Sequence, residues 1–200
     1  MLSLNRAGEY FDRGIERARG IVALVGHLSK VKPEALSCDD LLRAAIVCSS
    51  SAFDLFHHQA FRALMYSRLV KGNLNIPYLL PTSVVHLSSE DALPLIDKQI
   101  RESLSHRSFL MPDKIAELYS PVIPNFWKKV AEQGGVPDED LKLRVKQLGQ
   151  WRNRIVHESD INPDLAGIEE WPMLSEDVVA AIDDYAKINM LITIVINHHQ

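Results

Sequence analysis

Leu42, Ile46, Ser49, Phe53, Phe56 and Ala60 advance along the chain in steps of three and four, in a run that opens after Pro33 with Ser37 to Asp40 and continues to about Lys71. That period marks one face of an α-helix and excludes a strand, whose side chains alternate every second residue. Residues 3–30 carry a similar stripe, Leu4, Phe11, Ile15, Ala18, Val22 and Val25, with charged residues between them. Two long amphipathic helices follow, and the second is expected to lie antiparallel to the first.

From Gly72 to Pro94 the pattern loosens into turn and loop formers, namely Asn73, Asn75, Pro77, Pro81, Thr82 and Pro94, and Val84 to Leu87 reads as one short strand or extended segment. Ser89, Glu90 and Asp91 start a helix to about His106. Pro112 opens another through Ile115, Leu118 and Tyr119, and Pro124 to Gln133 forms a third that stops at Gly134-Gly135. Residues 72–136 are expected to be an insertion between core helices, able to cap a site or select a substrate. Pro137 followed by Asp138-Glu139-Asp140 begins a further long helix. Ser175 is expected to cap the last one, whose Val178, Ile182, Tyr185, Ile192 and Val195 face inwards. The fold class is therefore all-α: one domain, residues 1–200, built as an antiparallel bundle of about four long helices with shorter inserted ones.

A hydrophobic content of 46% supplies a sizeable core, and a net charge of −4 argues against a surface coated for indiscriminate nucleic-acid binding. A basic island nevertheless lies at Lys142, Arg144, Lys146, Arg152 and Arg154. Cys38 and Cys48 match no zinc or redox spacing and imply packing roles in a reducing compartment. Charged residues interrupt the first helix, and the run Leu191 to Ile196 is too short to span a bilayer, so a cytoplasmic protein without membrane contact is expected. No glycine-rich phosphate loop or nucleophile elbow occurs, and no cofactor is expected.

The densest chemistry falls in Trp151 to Asp160, where Arg152, Asn153 and His157 combine a permanent cation, an orienting amide and a ring that can take and give a proton. With 12 arginines and 8 histidines, chance alone gives about half a match to Arg-x4-His. A second match, Arg101 to His106, measures how weak the two-residue pattern is. Leu141, Val145, Leu148, Ile155 and Val156 form an apolar stripe with Arg152 in its middle, while Lys142, Lys146, Asn153 and His157 follow its edge. An arginine there is either salt-bridged inside the bundle or placed at a cleft. Five residues put Arg152 and His157 about 140° apart on the wheel. Either the arginine reaches round, the helix ends irregularly, or two copies of this face meet. Asp54 precedes His57 and His58 by three and four residues, so it can orient an imidazole, steady an arginine, or bond a neighbouring helix as a buried polar group. His106 and the His198-His199 pair are tied to these by no spacing, and no metal site is expected.

Arg152, Asn153 and His157 resemble the motif of HEPN domains, in which arginine, a polar residue, three variable residues and histidine follow one another. Asp39 to His58, Ser108 to Ile115, Phe126-Trp127 and Arg152 to Asp160 are each similar to segments of the RiboL-PSP-HEPN branch, with Trp151 standing where many members carry a second arginine. The resemblance implies a metal-independent endoribonuclease, commonly a toxin or antiviral defence component, with an antitoxin or defence-system partner. It also implies a homodimer that joins its motif helices. Arg152 would hold the scissile phosphate, His157 would move the proton of the ribose 2′-hydroxyl or the leaving oxygen, and Asn153 would orient His157 or bind phosphate. Asp54, His57 and His58 are expected to support that site, and Lys142, Lys146 and Arg154 to bind RNA. The alternative is a HEPN fold that binds RNA or a regulatory partner without cutting.

Overall fold

The computed structural model describes residues 3–31, 38–72, 89–164 and 169–200, with the backbone alone over 89–92. Helices account for about four fifths of it: α1 (Leu4–Val31), α2 (Cys38–Val70), α3 (Ser89–Leu104), α4 (Pro112–Tyr119), α5 (Phe126–Gly134), α6 (Asp138–His157) and α7 (Ser175–Asn197). The segment Val84 to Leu87 lies outside the described residues.

α1 and α2 pack antiparallel along their lengths, the early part of one against the later part of the other. Phe11 meets Phe56 edge to face at 6.0 Å between ring centres. Three residues on, Gly14 faces Ala52 so closely that a Cβ on the glycine would stand 2.3 Å from the alanine Cβ. Side chains at both positions would force the helices apart, so glycine here sets their separation. α7 lies across both helices, and α6 packs on α2 and α5. The four long helices of the expected bundle are thus α1, α2, α6 and α7.

The described part of 72–136 enters the same core. Phe109, Tyr119 and Phe126 are buried with Phe53, Phe56 and Phe61 of α2, and Tyr119 stacks on Phe126 at 4.6 Å. Pro94 lies inside α3, not in a loop. It sits early in the helix, where the missing N–H removes a single bond. α5 ends at Gly135, whose φ of 62° is the left-handed conformation that glycine adopts without strain. Ser175 does not cap α7. The capping position is Leu174, with no side-chain bond, and Ser175 is the first helical residue.

Beyond α6 the chain turns sharply through Ser159 and Asp160, with φ of 52° and 56°. Asp160 is fully buried and binds two arginines: its Oδ2 accepts from Arg43 Nε of α2 at 3.0 Å, and its Oδ1 from Arg154 Nε of α6 at 2.5 Å. Arg43 also donates to the Trp171 carbonyl at 2.7 Å and pairs with Glu170 at 2.8 Å. The Trp171 N–H in turn donates to the Asp160 carbonyl at 2.9 Å. This network clamps the end of α6, and with it His157, to the start of α2.

Candidate functional site

Leu141, Val145 and Leu148 of α6 are buried, as their spacing predicts, and so is Gly149. The stripe then leaves the core. Ile155 is half-buried, and Val156, expected to be apolar cover, is 44% exposed. Toward the end of α6 the face that buries Leu148 reaches the rim of an open space, where Arg152 is half-buried.

That space is a cleft of about 480 Å³. Arg152, Asn153 and His157 form its α6 side, and His106, Arg107, Ser108, Leu110, Met111 and Lys114 form the other. No carboxylate lines it among the described residues. Two contacts hold the second side in place. Asp54 of α2 accepts the Phe109 N–H at 2.5 Å and the Ser108 hydroxyl at 3.4 Å. Gly149 lets the Leu110 backbone lie directly on α6, since a Cβ there would stand 2.6 Å from the Leu110 carbonyl oxygen and 2.9 Å from Met111 Sδ.

Of the three ways to reconcile Arg152 with His157, the long side chain does reach round. Its Nη1 stands 3.1 Å from Asn153 Oδ1 and 3.5 Å from His157 Nε2. Arginine only donates, so in this contact Nε2 is the acceptor. Arg152 has no carboxylate partner among the described residues, and its buried Nε makes no hydrogen bond. The buried Tyr185 hydroxyl is also unpartnered, and its pKa is raised by burial against the opposing charges of Arg152 and Arg144. A half-buried guanidinium without a counter-ion is costly, and an arriving anion removes that cost.

The supporting residues fall elsewhere than the spacing suggested. Asp54 stands 4.0 Å from His58 Nε2, and its closer bonds go to the backbone of the cleft segment. His58 packs edge-on against Phe109 at 4.9 Å. His57 does not reach the cleft. It is fully buried among Phe53, Phe56 and Tyr119, with Nδ1 3.2 Å from the Tyr119 hydroxyl. Burial, and then the charge of His58, lower its pKa to about 3, so the ring stays neutral.

The basic island divides in the same way. Lys142 is held by Glu139 at 2.6 Å and Asp138 at 3.2 Å, roughly ten residues from Arg152 and so about 15 Å along the helix. Arg144 joins α6 to Asp184 of α7 at 2.5 Å. Arg154 is bound to Asp160 and lies over the Trp171 ring at 5.2 Å, so it is a fastening of the turn and not a free contact for RNA. Lys146 is exposed and enters no ion pair among the described residues. Asp160, Arg43, Gly149 and residues 106–114 are the positions that spacing alone did not single out, and only Asp160 lay inside the motif stretch.

Another groove of about 480 Å³ lies between the start of α1 and the middle of α2, lined by Arg6, Tyr10, Leu55 and Arg62 among others. Arg62 there is matched to Asp97 by two bonds of 2.8 Å, so it holds no unpaired half-buried charge. Among the described residues no three histidines, cysteines or carboxylates gather as a metal site would require, and no helix is long and apolar enough to cross a membrane.

No curated protein and no solved structure matches the chain. The RiboL-PSP-HEPN family model matches residues 15–187, a span that holds both sides of the cleft, and the chain belongs to that family.

Proposed function

We propose that the protein is a metal-independent endoribonuclease whose cleft holds one phosphodiester against Arg152 and His157. The observation that carries this reading is the pairing of a half-buried guanidinium with an imidazole 3.5 Å away, in a cleft where no carboxylate among the described residues compensates the charge. A phosphate is a stronger acceptor than a neutral imidazole, so it draws Arg152 Nη1 to itself and frees the Nε2 lone pair. His157 then takes the proton of the ribose 2′-hydroxyl as its oxygen attacks phosphorus. The bond to the 5′-oxygen breaks, and that oxygen takes a proton from water or from the imidazolium of His157. The products are a 2′,3′-cyclic phosphate and a 5′-hydroxyl end. Arg152 stabilises the charge on the five-coordinate phosphorus, an effect worth several kcal/mol in related oxyanion sites. Asn153, already bonded to Arg152, fixes the guanidinium for this task.

In this reading two copies join through the exposed ends of α6, and the protein acts as a toxin or defence effector on cellular or invading RNA. A homodimer in light scattering, split by charge substitution at Val156, supports the joining.

A second reading has its own observation. His157 makes no hydrogen bond besides that to Arg152 among the described residues, so no group among them orients its Nδ1. General bases are ordinarily oriented by such a partner. A cleft that grips phosphate without cutting would need none. Incubation of the purified protein with single-stranded RNA in EDTA decides between them. Cleavage to cyclic-phosphate ends, lost in His157→Ala with the helical spectrum intact, is the expected result. Tight binding with no cleavage by the parent overturns the enzyme and leaves the binding module.

A further inference from the structure

The proposed reaction uses only the α6 side of the cleft, yet the other side carries its own cations. Arg107 Nη2 lies 3.0 Å from Glu117 Oε2, and its guanidinium sits over the Phe109 ring at 5.5 Å. Lys114 Nζ lies 2.9 Å from the other oxygen, Glu117 Oε1. One carboxylate outside the cleft lining thus steadies two cations within it. Asp113 reaches Lys114 only at 4.0 Å and is mostly exposed, where such a pair contributes little. His106 completes this side.

The positions of these groups are set by the bundle. Asp54 pins the Phe109 N–H, Gly149 seats the Leu110 carbonyl, and the Trp127 indole N–H donates to the Pro112 carbonyl at 2.7 Å. Because the segment is anchored between residues 109 and 112, Arg107 and Lys114 are held at the cleft before any ligand arrives. Preorganised cations lose little freedom on binding an anion. Their geometry also suits phosphate: a planar fork stacked on a ring beside a point charge.

We propose that Arg107 and Lys114, with His106, form a second phosphate subsite, which binds the phosphate next to the one held by Arg152. The cleft then grips two successive phosphates of a single nucleic-acid strand. A volume of about 480 Å³ falls within the range of sites that take a small ligand or a short stretch of a larger one. The ligand class follows: a strand with at least two adjacent phosphates is held at both sides, whereas a dinucleoside monophosphate engages Arg152 alone. The proposal rests on the reading of the cleft as a nucleic-acid site but not on cleavage within it.

The test uses fluorescently labelled 2′-O-methyl oligoribonucleotides with one, two or three internucleotide phosphates, which lack the nucleophile and cannot be cut. Binding of the full chain is measured by anisotropy in EDTA at low salt. The second phosphate is expected to tighten Kd about tenfold and the third less than threefold. In the Arg107→Gln, Lys114→Gln double variant the second-phosphate gain is expected to vanish, while the one-phosphate probe binds within twofold of the parent. The salt dependence for the two-phosphate probe should become shallower by about 0.7 in slope, the change expected when one fewer phosphate of a single strand is neutralised. A parent that shows no step from one to two phosphates, or a double variant that keeps the step, overturns the proposal. Both side chains are partly exposed, so the variant is expected to keep the parent's circular dichroism, and the phosphate series on the parent stands without it. RNA cleavage with no step removes the second subsite alone, and a step without cleavage removes the enzyme alone.

Discussion

Asp160→Asn isolates the charge that ties the end of α6 to α2. Asparagine keeps the size of the side chain and tolerates the left-handed φ of 56°, so the backbone gains no new strain. Its amide oxygen still accepts one hydrogen bond. What disappears is a fully buried carboxylate shared by Arg43 Nε at 3.0 Å and Arg154 Nε at 2.5 Å. A hydrogen bond between charged groups contributes about 1.5–3 kcal/mol and a neutral one about 1 kcal/mol. Removing one partner of a buried pair costs about 3–5 kcal/mol, because the other charge stays behind. Arg43 keeps the Trp171 carbonyl and Glu170, and Arg154 keeps the Trp171 ring and partial exposure to water. The lower end of that range applies, about 3 kcal/mol. With a urea dependence of about 2 kcal/mol/M, the unfolding midpoint should fall by about 1.5 M at unchanged slope. A fall below about 0.5 M would refute the reasoning, since the two pairs would then be worth no more than exposed salt bridges. Asp160→Gly should be milder than Asp160→Ala by about 1 kcal/mol, because only glycine relieves the left-handed backbone.

Gly149→Ala should destabilise by about 1–3 kcal/mol despite alanine's better helix propensity, because its Cβ meets backbone at 2.6 Å, and RNA affinity should fall as residues 110–111 shift. A variant as stable and as tight-binding as the parent would show that the segment does not rest on α6. Arg154→Ala should cost about 2–3 kcal/mol in the same urea assay, whereas Lys146→Ala should stay within about 0.5 kcal/mol, and equal effects would contradict the separation of fastening from free cation. His57 gives a pH dependence whose sign is fixed by its pKa of about 3 in the fold against 6.5 unfolded. The unfolded ring takes up a proton first, so stability is full above pH 6.5 and drains as the pH falls towards 3. Between pH 6.5 and pH 5 the parent should lose about 1.6 kcal/mol more than His57→Gln. Parallel pH profiles would mean that the ring titrates as freely folded as unfolded.

The helices were legible because their signals are local. The three-and-four stepping of Leu42 to Ala60, the acidic start after Pro137 and the stop at Gly134-Gly135 each depend on residues a turn or two apart, and α2, α6 and α5 follow them. Arg152, Asn153 and His157 were legible for the same reason, being neighbours on one helix. The other side of the cleft was not. Asp54 meets Phe109 across 55 residues, and Arg43 meets Asp160 across 117. His106 belonged to the chance match that gauged the motif's weakness, and only packing carries it to the cleft. Arg154 looked like a surface cation because its partner, Asp160, turns inwards through a left-handed φ that the sequence does not announce. Val156 fits the wheel but overruns the core, which periodicity along one helix cannot reveal.

The division of the basic island changes where an RNA strand is expected to feel attraction. Lys142, Arg144 and Arg154 are each matched by a carboxylate at 3.2 Å or less, so α6 offers no continuous cationic face. A cation matched by a carboxylate of its own projects little field beyond a Debye length of about 8 Å at physiological salt, whereas Arg107 and Lys114 share the single Glu117 and keep a net positive charge between them. Arg152 is different, having no carboxylate partner among the described residues and being walled by protein on two sides, and a cleft of one sign with low-dielectric walls concentrates its field. On a chain with a net charge of −4, such a cleft is a local site of the opposite sign. In the proposed reading that contrast replaces a broad basic surface: it admits a strand at one place, with its phosphate drawn to Arg152 and its 2′-hydroxyl left within reach of His157.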